Sequence, residues 1–216
     1  IINVEEEGIN LPKDHILQRC PFYIMIGPPK SGKSTIIQTI ISHEALYLKK
    51  FNLILFISPS GFSGLELELD VNWYPSFNLQ WIYEKMNVLK EKTTTQQVLL
   101  ILDDCVSELK GFETKPDFNR LFYNRRHLLP NVCVSIFLST QYWTKIPSSV
   151  RTIATGLFIF SINSTEWSKL TKETPVNDNP KLKTVVSSLN SKPHSFIYIN
   201  FNNNKKYLNF ESELLI

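Results

Sequence analysis

What this 216-residue chain lacks narrows it before any motif does. No apolar run approaches the roughly 20 residues that a helix needs to cross a bilayer, so no stretch reads as a membrane span. No secretory leader is visible, and residue 1 is Ile rather than Met, so the expected start of the polypeptide lies upstream. The three cysteines, Cys20, Cys105 and Cys133, are odd in number and have no metal-ligand spacing. They sit in or beside apolar runs, which predicts reduced packing residues in a cytosolic setting. There is no internal repeat, and no low-complexity tract beyond Asn202, Asn203 and Asn204. Charge of one sign is also missing: 23 basic against 20 acidic residues leave a net +3. Glu5, Glu6 and Glu7 crowd three of the acids near the start, so the remainder is mildly basic, which permits a nucleic-acid partner without arguing for one.

What is present is enough apolar content, 43%, for a core of ordinary size. The expected organisation is a polar lead-in over 1–20 followed by a single domain over 21–216. That domain is organised around FYIMIGPPKSGKST, residues 22–35. An apolar run ends at Gly27, and Gly32, Lys33, Ser34 and Thr35 open a helical pattern, so G-x-x-x-x-G-K-S lies between a strand and a helix. That is the context of a P-loop, which wraps a phosphate chain with backbone N–H groups at the positive end of a helix. The donors are expected from Ser31 to Thr35, because Pro28 and Pro29 have no N–H to give. Lys33 is the candidate for the β- and γ-phosphates of ATP, and the Ser34 hydroxyl for Mg²⁺.

Further along, residues 52–58, 98–104, 132–139 and 156–162 read as buried strands. Helical patterns cover about 78–92, 117–129, 164–172 and 179–190. The connection 58–76 carries at most a short edge strand, and 195–201 with 206–210 read as a terminal hairpin across the asparagine turn. Alternating buried strands and helices predict an α/β fold: a mainly parallel sheet covered on both faces, with ligands at the carboxyl ends of the strands.

VLLILDD ends an apolar run in two carboxylates, the pattern of a Walker B strand. Asp103 is the candidate metal residue, and Asp104 the group that orients or deprotonates the attacking water. Ser139, Thr140 and Gln141 end the next apolar strand, and Gln141 is the candidate sensor of the γ-phosphate. Arg126 and Arg151 could neutralise charge on a transferring phosphoryl group from a neighbouring subunit. Arg125 reads equally well as a solvated helix end, His127 as a packing or hydrogen-bonding residue, and Lys30, Lys49 and Lys50 as surface. Trp73, Tyr74, Trp81, Tyr142 and Trp143, with Lys145 nearby, could stack on single-stranded bases, but core or edge packing is the expected use. No Asp-x-x-Gly follows the Asp pair and no Asn-Lys-x-Asp is present, which argues against a GTPase. No arginine-rich lid is found, which argues against a small-molecule or nucleoside kinase. The kinase, which uses a P-loop of this shape, and a nucleotide-binding structural component that does not cycle both stay open beside the hydrolase.

Taken together, GPPKSGKS, VLLILDD, NRRHLLPNVCVSIFLSTQ and IPSSVR resemble the poxvirus-type genome-packaging ATPases of nucleocytoplasmic large DNA viruses, within the FtsK/HerA class of motors. The likeness runs from about Pro21 to Phe210. It implies an additional-strand P-loop fold of the ASCE, RecA-like kind and Mg²⁺-dependent ATP hydrolysis that drives double-stranded DNA into a preformed capsid. It also implies a homo-oligomeric ring, a capsid or membrane protein as partner at the packaging vertex, and action in the host cytoplasm or the virion. By the same resemblance Arg126 is the candidate trans-acting finger, with Arg151 second. The chain departs from many relatives in having Arg125-Arg126-His127 where they have Gly-Arg-His, which leaves open which arginine reaches the neighbour.

Overall fold

Two strands with no solvent-facing residue form the centre of the molecule: β1 (Phe22–Ile26) and β5 (Val132–Thr140), paired in parallel. A strand buried on both faces cannot alternate apolar with polar residues, which is why both read as unbroken apolar runs in sequence. The computed structural model describes residues 18–61, 71–176, 179–189 and 194–215. Most of the lead-in, with the three glutamates at 5–7, lies outside them, as does the expected helix end at 190.

The other strands are β2 (Leu53–Ile57), β3 (Val71–Tyr74), β4 (Gln96–Asp103), β6 (Gly156–Ile159), β7 (Ile197–Asn200), β8 (Lys206–Leu208) and β9 (Ser212–Glu213). They make one nine-stranded sheet in the order β3-β2-β4-β5-β1-β6-β7-β8-β9. The strands from β3 through β6 pair in parallel, and the last three add as an antiparallel meander. Strand β5 lies between the P-loop strand and the strand ending in Asp103, so the additional central strand is present. The expected edge strand is β3, and the expected hairpin is β7–β8.

The helices are α1 (Lys33–Ser42), α2 (Leu79–Asn87), α3 (Val106–Leu109), α4 (Pro116–Tyr123), α5 (Ser148–Arg151), α6 (Ser164–Glu173) and α7 (Pro180–Ser188). Two apolar clusters, one on each face of the sheet, hold them. On one face Ile36, Ile37, Ile40 and Ile41 of α1 pack on Tyr23, Met25, Phe137, Phe158 and Tyr198. β-Branched residues are indifferent helix formers, so α1 owes its stability to burying that stripe, worth about 1.5–3 kcal/mol for each fully buried isoleucine. The other face carries α2, α4, α6 and α7 through residues such as Ile82, Phe118, Leu121, Leu170 and Val186. Three of these helices start where an asparagine can cap them: the side chains of Asn78, Asn163 and Asn179 accept from the N–H of Trp81, Glu166 and Lys181 at 2.8–3.0 Å.

Two expectations are corrected here. The helix foreseen over 117–129 stops at Tyr123; a separate 3₁₀ turn, Arg125–His127, precedes β5, and the Arg125 side chain is buried inside it. The cysteines are not all reduced. Cys20 and Cys133 are joined in a disulfide with Cα atoms 6.0 Å apart, and Cys105 alone is a free, buried thiol. The two partners are 113 residues apart in the chain, and only the β1–β5 pairing, which puts the Pro21 carbonyl 2.8 Å from the Ile136 N–H, makes them neighbours.

Candidate active site

Register alone brings the motif residues to one end of the sheet. Asp103 of β4 pairs with Ser139 of β5, and Thr140 of β5 pairs with Ile26 of β1, so the Asp pair, the Ser139–Gln141 segment and the P-loop all leave the sheet at neighbouring carboxyl ends. The Gly27 N–H donates to the Thr140 carbonyl at 3.2 Å and the Asp104 N–H to that of Ser139, also at 3.2 Å. Strand β5 therefore ties the phosphate loop to the acidic pair.

Within the loop the glycines are needed for space and for φ. A Cβ on Gly27 would lie 2.6 Å from Ser31 Oγ and 2.7 Å from Phe160 Cβ, too close to tolerate. Gly32 caps α1 at φ +104°, a conformation costly for any residue with a side chain. Lys33 is buried and donates from Nζ to the carbonyls of Gly27 and Pro28, both at 2.9 Å. Burial pushes the Lys33 ammonium below its ordinary value, while Asp104 and then Asp103 pull it back up. The Ser31 hydroxyl is buried inside the loop without a hydrogen-bond partner. Ser34 is half-buried and Thr35 exposed at the start of α1. The Ser31 N–H, one of the expected donors, is bonded within the loop to the Pro28 carbonyl at 3.3 Å; a loop at a helix start that encloses a lysine and a hydroxyl without a partner among the described residues fits a polyphosphate.

The two acids differ. Asp103 is half-buried, and its carboxylate accepts from the Ser139 hydroxyl. Burial raises its pKa most; the Ser139 hydroxyl lowers it, Asp104 raises it, and Lys33 and the Ser58 hydroxyl lower it. Asp104 is exposed, at φ +50°, with a carboxylate that accepts no hydrogen bond among the described residues. Aspartate tolerates that left-handed conformation better than most residues, and here it turns the second acid away from the strand. Among the described residues no group of three or more His, Cys, Asp or Glu could hold a metal ion alone. Mg²⁺ carried by a nucleotide needs one or two protein oxygens beside phosphate and water, and Asp103 and Ser34 are of the right chemistry for it.

Gln141 is half-buried and makes no side-chain bond among the described residues. With Pro28, Pro29, Asn163 and Glu166 it lines a cavity of about 260 Å³ beside the phosphate loop. No motif or spacing singles out Glu166. Its buried carboxylate accepts from Thr144 N at 2.9 Å and from Thr144 Oγ1 at 2.7 Å, pinning the segment after Gln141 to α6. Ser58, at the end of β2, was equally unmarked.

The arginines separate. Arg125 is buried, with Nε to the Cys20 carbonyl at 3.3 Å and Nη1 to that of Phe122 at 3.2 Å, so it is neither a solvated helix end nor available to a ligand. Arg151 is held in the chain by Glu173 at 3.0 Å and by the Trp143 carbonyl at 3.3 Å. Arg126 is exposed and has no hydrogen bond or ion pair among the described residues. His127, expected to pack, is exposed beside it. Both precede β5, whereas Thr140 and Gln141 follow it; nine residues of strand separate them, on the order of 25–30 Å. Of the aromatic residues, Trp143 is fully buried and its indole N–H donates to Glu173 at 2.7 Å, which supports packing over base stacking there.

No protein-family model matches the chain. Protein 075L of Invertebrate iridescent virus 6 is 30% identical over 154 residues, 63% of this chain and 53% of the relative. Protein B354L of African swine fever virus is 32% identical over 105 residues, 44% of this chain and 28% of the relative. The chain thus spans about a quarter to a half of the length of these viral relatives. Among solved structures, the genome-packaging NTPase B204 of Sulfolobus turreted icosahedral virus 2, in complex with ATP-γ-S, superposes with a TM-score of 0.64 at 18% identity. That match covers 87% of this chain and 95% of B204. The pCW3 conjugation coupling protein TcpA gives 0.53 at 12% identity, over 88% of this chain and 59% of TcpA. The fold is that of the packaging NTPases, as the resemblance in the motifs implied.

Proposed function

We propose that the chain is the motor domain of a Mg²⁺-dependent ATPase that moves viral double-stranded DNA into a preformed capsid. The observation that carries hydrolysis is the convergence of the phosphate loop, Asp103–Asp104 and Gln141 at the ends of three adjacent strands. The packaging role is supported by the shared fold of a genome-packaging NTPase and by the relatives in two large DNA viruses. Infected-cell cytoplasm or the virion is the corresponding location, and a capsid or membrane protein the docking partner.

The amides from Ser31 to Thr35 and the Lys33 ammonium hold the β- and γ-phosphates, with Gly27 and Gly32 leaving room for them. Ser34 and Asp103 would hold Mg²⁺, which would supply Lewis-acid neutralisation of the charge on the phosphates. Asp104, exposed and unpaired, accepts a proton from the attacking water, while the Gln141 amide orients that water and registers the γ-phosphate. Arg126 completes the site from the neighbouring subunit in a homo-oligomeric ring, since on its own chain it lies at the far end of β5. Arg151 holds α5 to the end of α6.

Phosphate release is measured with and without duplex DNA, alongside transfer to nucleoside acceptors. DNA-stimulated release that is lost in Lys33→Ala and Asp104→Asn is the expected result. Acceptor phosphorylation would replace this reading with a kinase, and binding without either would replace it with a scaffold. Unchanged hydrolysis in either variant overturns the role given to that residue.

A further inference from the structure

At the amino ends of the strands, opposite the phosphate loop, lies a groove that the catalytic reading does not use. Two adjoining cavities, about 470 and 400 Å³, share Arg19, Arg126 and His127; Arg120 and Asn131 extend one and Asn202 the other. Among the described residues no carboxylate lines either of them. Arg19 and Arg126 come from segments more than 100 residues apart, and three restraints bring them together. The disulfide bonds Cys20, next to Arg19, to β5; buried Arg125, next to Arg126, donates to the Cys20 carbonyl; and Arg120 Nη2 donates to the Leu128 carbonyl at 3.1 Å, fixing the turn that follows. Two exposed guanidinium groups are thus presented on one face by buried chemistry, at sites where free arginines would repel one another.

We infer that this groove receives a second copy of the chain, seating the neighbour's nucleotide-bearing carboxyl end, and that Arg19 is a second trans-acting cation beside Arg126. The inference rests on the ATPase reading above. Charge argues for this occupant: the carboxyl end presents Asp104 and half-buried Asp103 and, by the ATPase reading, would carry a polyphosphate, while the amino end presents four basic side chains with no acid among the described residues lining it. A face of one kind at each end of the strands is what a head-to-tail contact requires, and repeating such a contact closes a ring where the rotation between copies divides a full turn. Two guanidinium groups would divide the negative charge of the γ-phosphate between them, as planar forks suited to phosphate oxygens.

The test is subunit mixing with the full chain. Arg19→Ala is expected to lower turnover at saturating ATP by about tenfold to 10²-fold, while fluorescent-nucleotide affinity of the isolated protomer stays at the parent value. Arg19→Lys should recover part of the loss. Mixed in equal amounts with Lys33→Ala, itself inactive but with an intact groove, Arg19→Ala should regain activity at about a quarter of the contacts. The inference is overturned if Arg19→Ala turns over at the parent rate, or if mixing rescues Arg126→Ala but not Arg19→Ala. It is equally overturned if Arg19→Ala loses only stimulation by duplex DNA, which would make the groove a DNA track. If Arg126→Ala is also active at the parent rate, the trans-site reading itself fails, and that result is distinct from failure of Arg19 alone.

Discussion

The two ends of the sheet are built on opposite plans. At the carboxyl end, chemistry is contiguous in sequence: Gly27 to Thr35 form one loop and the first residues of α1, Asp103 and Asp104 are adjacent, and Ser139 to Gln141 are consecutive. Its groups are partly satisfied within the chain, Lys33 by the Gly27 and Pro28 carbonyls and Asp103 by Ser139. At the amino end, cations from distant segments are gathered by a disulfide and a buried arginine and are left unsatisfied. A site that must bind a small ligand by itself is pre-organised down to its hydrogen bonds. A surface that acts only on another subunit needs rigid presentation and unspent charge.

That contrast can be broken most sharply at neighbouring arginines. Arg126→Ala should cost on the order of 10³ or more in turnover of the assembled protein while leaving the melting temperature unchanged. Arg125→Ala should do the reverse in kind. Leaving the Cys20 and Phe122 carbonyls unpaired destabilises by about 1–3 kcal/mol each, seen as a lower midpoint in urea, with turnover falling only as the protein unfolds. Equal effects of the two on stability would mean that the structure has assigned them wrongly. Replacing both Cys20 and Cys133 by Ser should lower stability by about 2–4 kcal/mol more against the oxidised parent than against the reduced one, where only the two buried hydroxyls are a cost.

The smallest effect concerns Asp103. Its pKa is raised by burial, so between the ordinary carboxylate range and that raised value the folded state holds more protons than the unfolded state. Stability therefore falls as pH rises through that window, and above it the buried charge is a cost borne by the free protein. Asp103→Asn should raise the melting temperature slightly at pH above that window and flatten its dependence on pH across it. A lower melting temperature at neutral pH would show instead that the Ser139 contact outweighs the burial.

How much could be read without coordinates follows the same division. The buried parallel strands were legible because a strand covered on both faces must be apolar throughout, as Phe22–Ile26 and Val132–Thr140 are. The helix starts near 78, 164 and 179 were legible from helical patterning, and the structure adds the capping side chains of Asn78, Asn163 and Asn179; the helix over 117–129 was overextended, because its apolar spacing continues through a segment that turns at Asn124. Glu166 escaped notice because its role is to grip Thr144, a contact with no spacing to announce it.

Local chemistry, then, is what the chain states on its face: a glycine loop before a helix, two acids closing an apolar strand, and a sheet whose strands alternate with helices. These need only near neighbours along the backbone, and their physics is that of short-range geometry and burial. Which of two adjacent arginines is buried, which cysteines meet, and which cations share a groove were decided by strand order and register. Those place residues more than 100 positions apart within bonding distance, and no window of sequence carries that information.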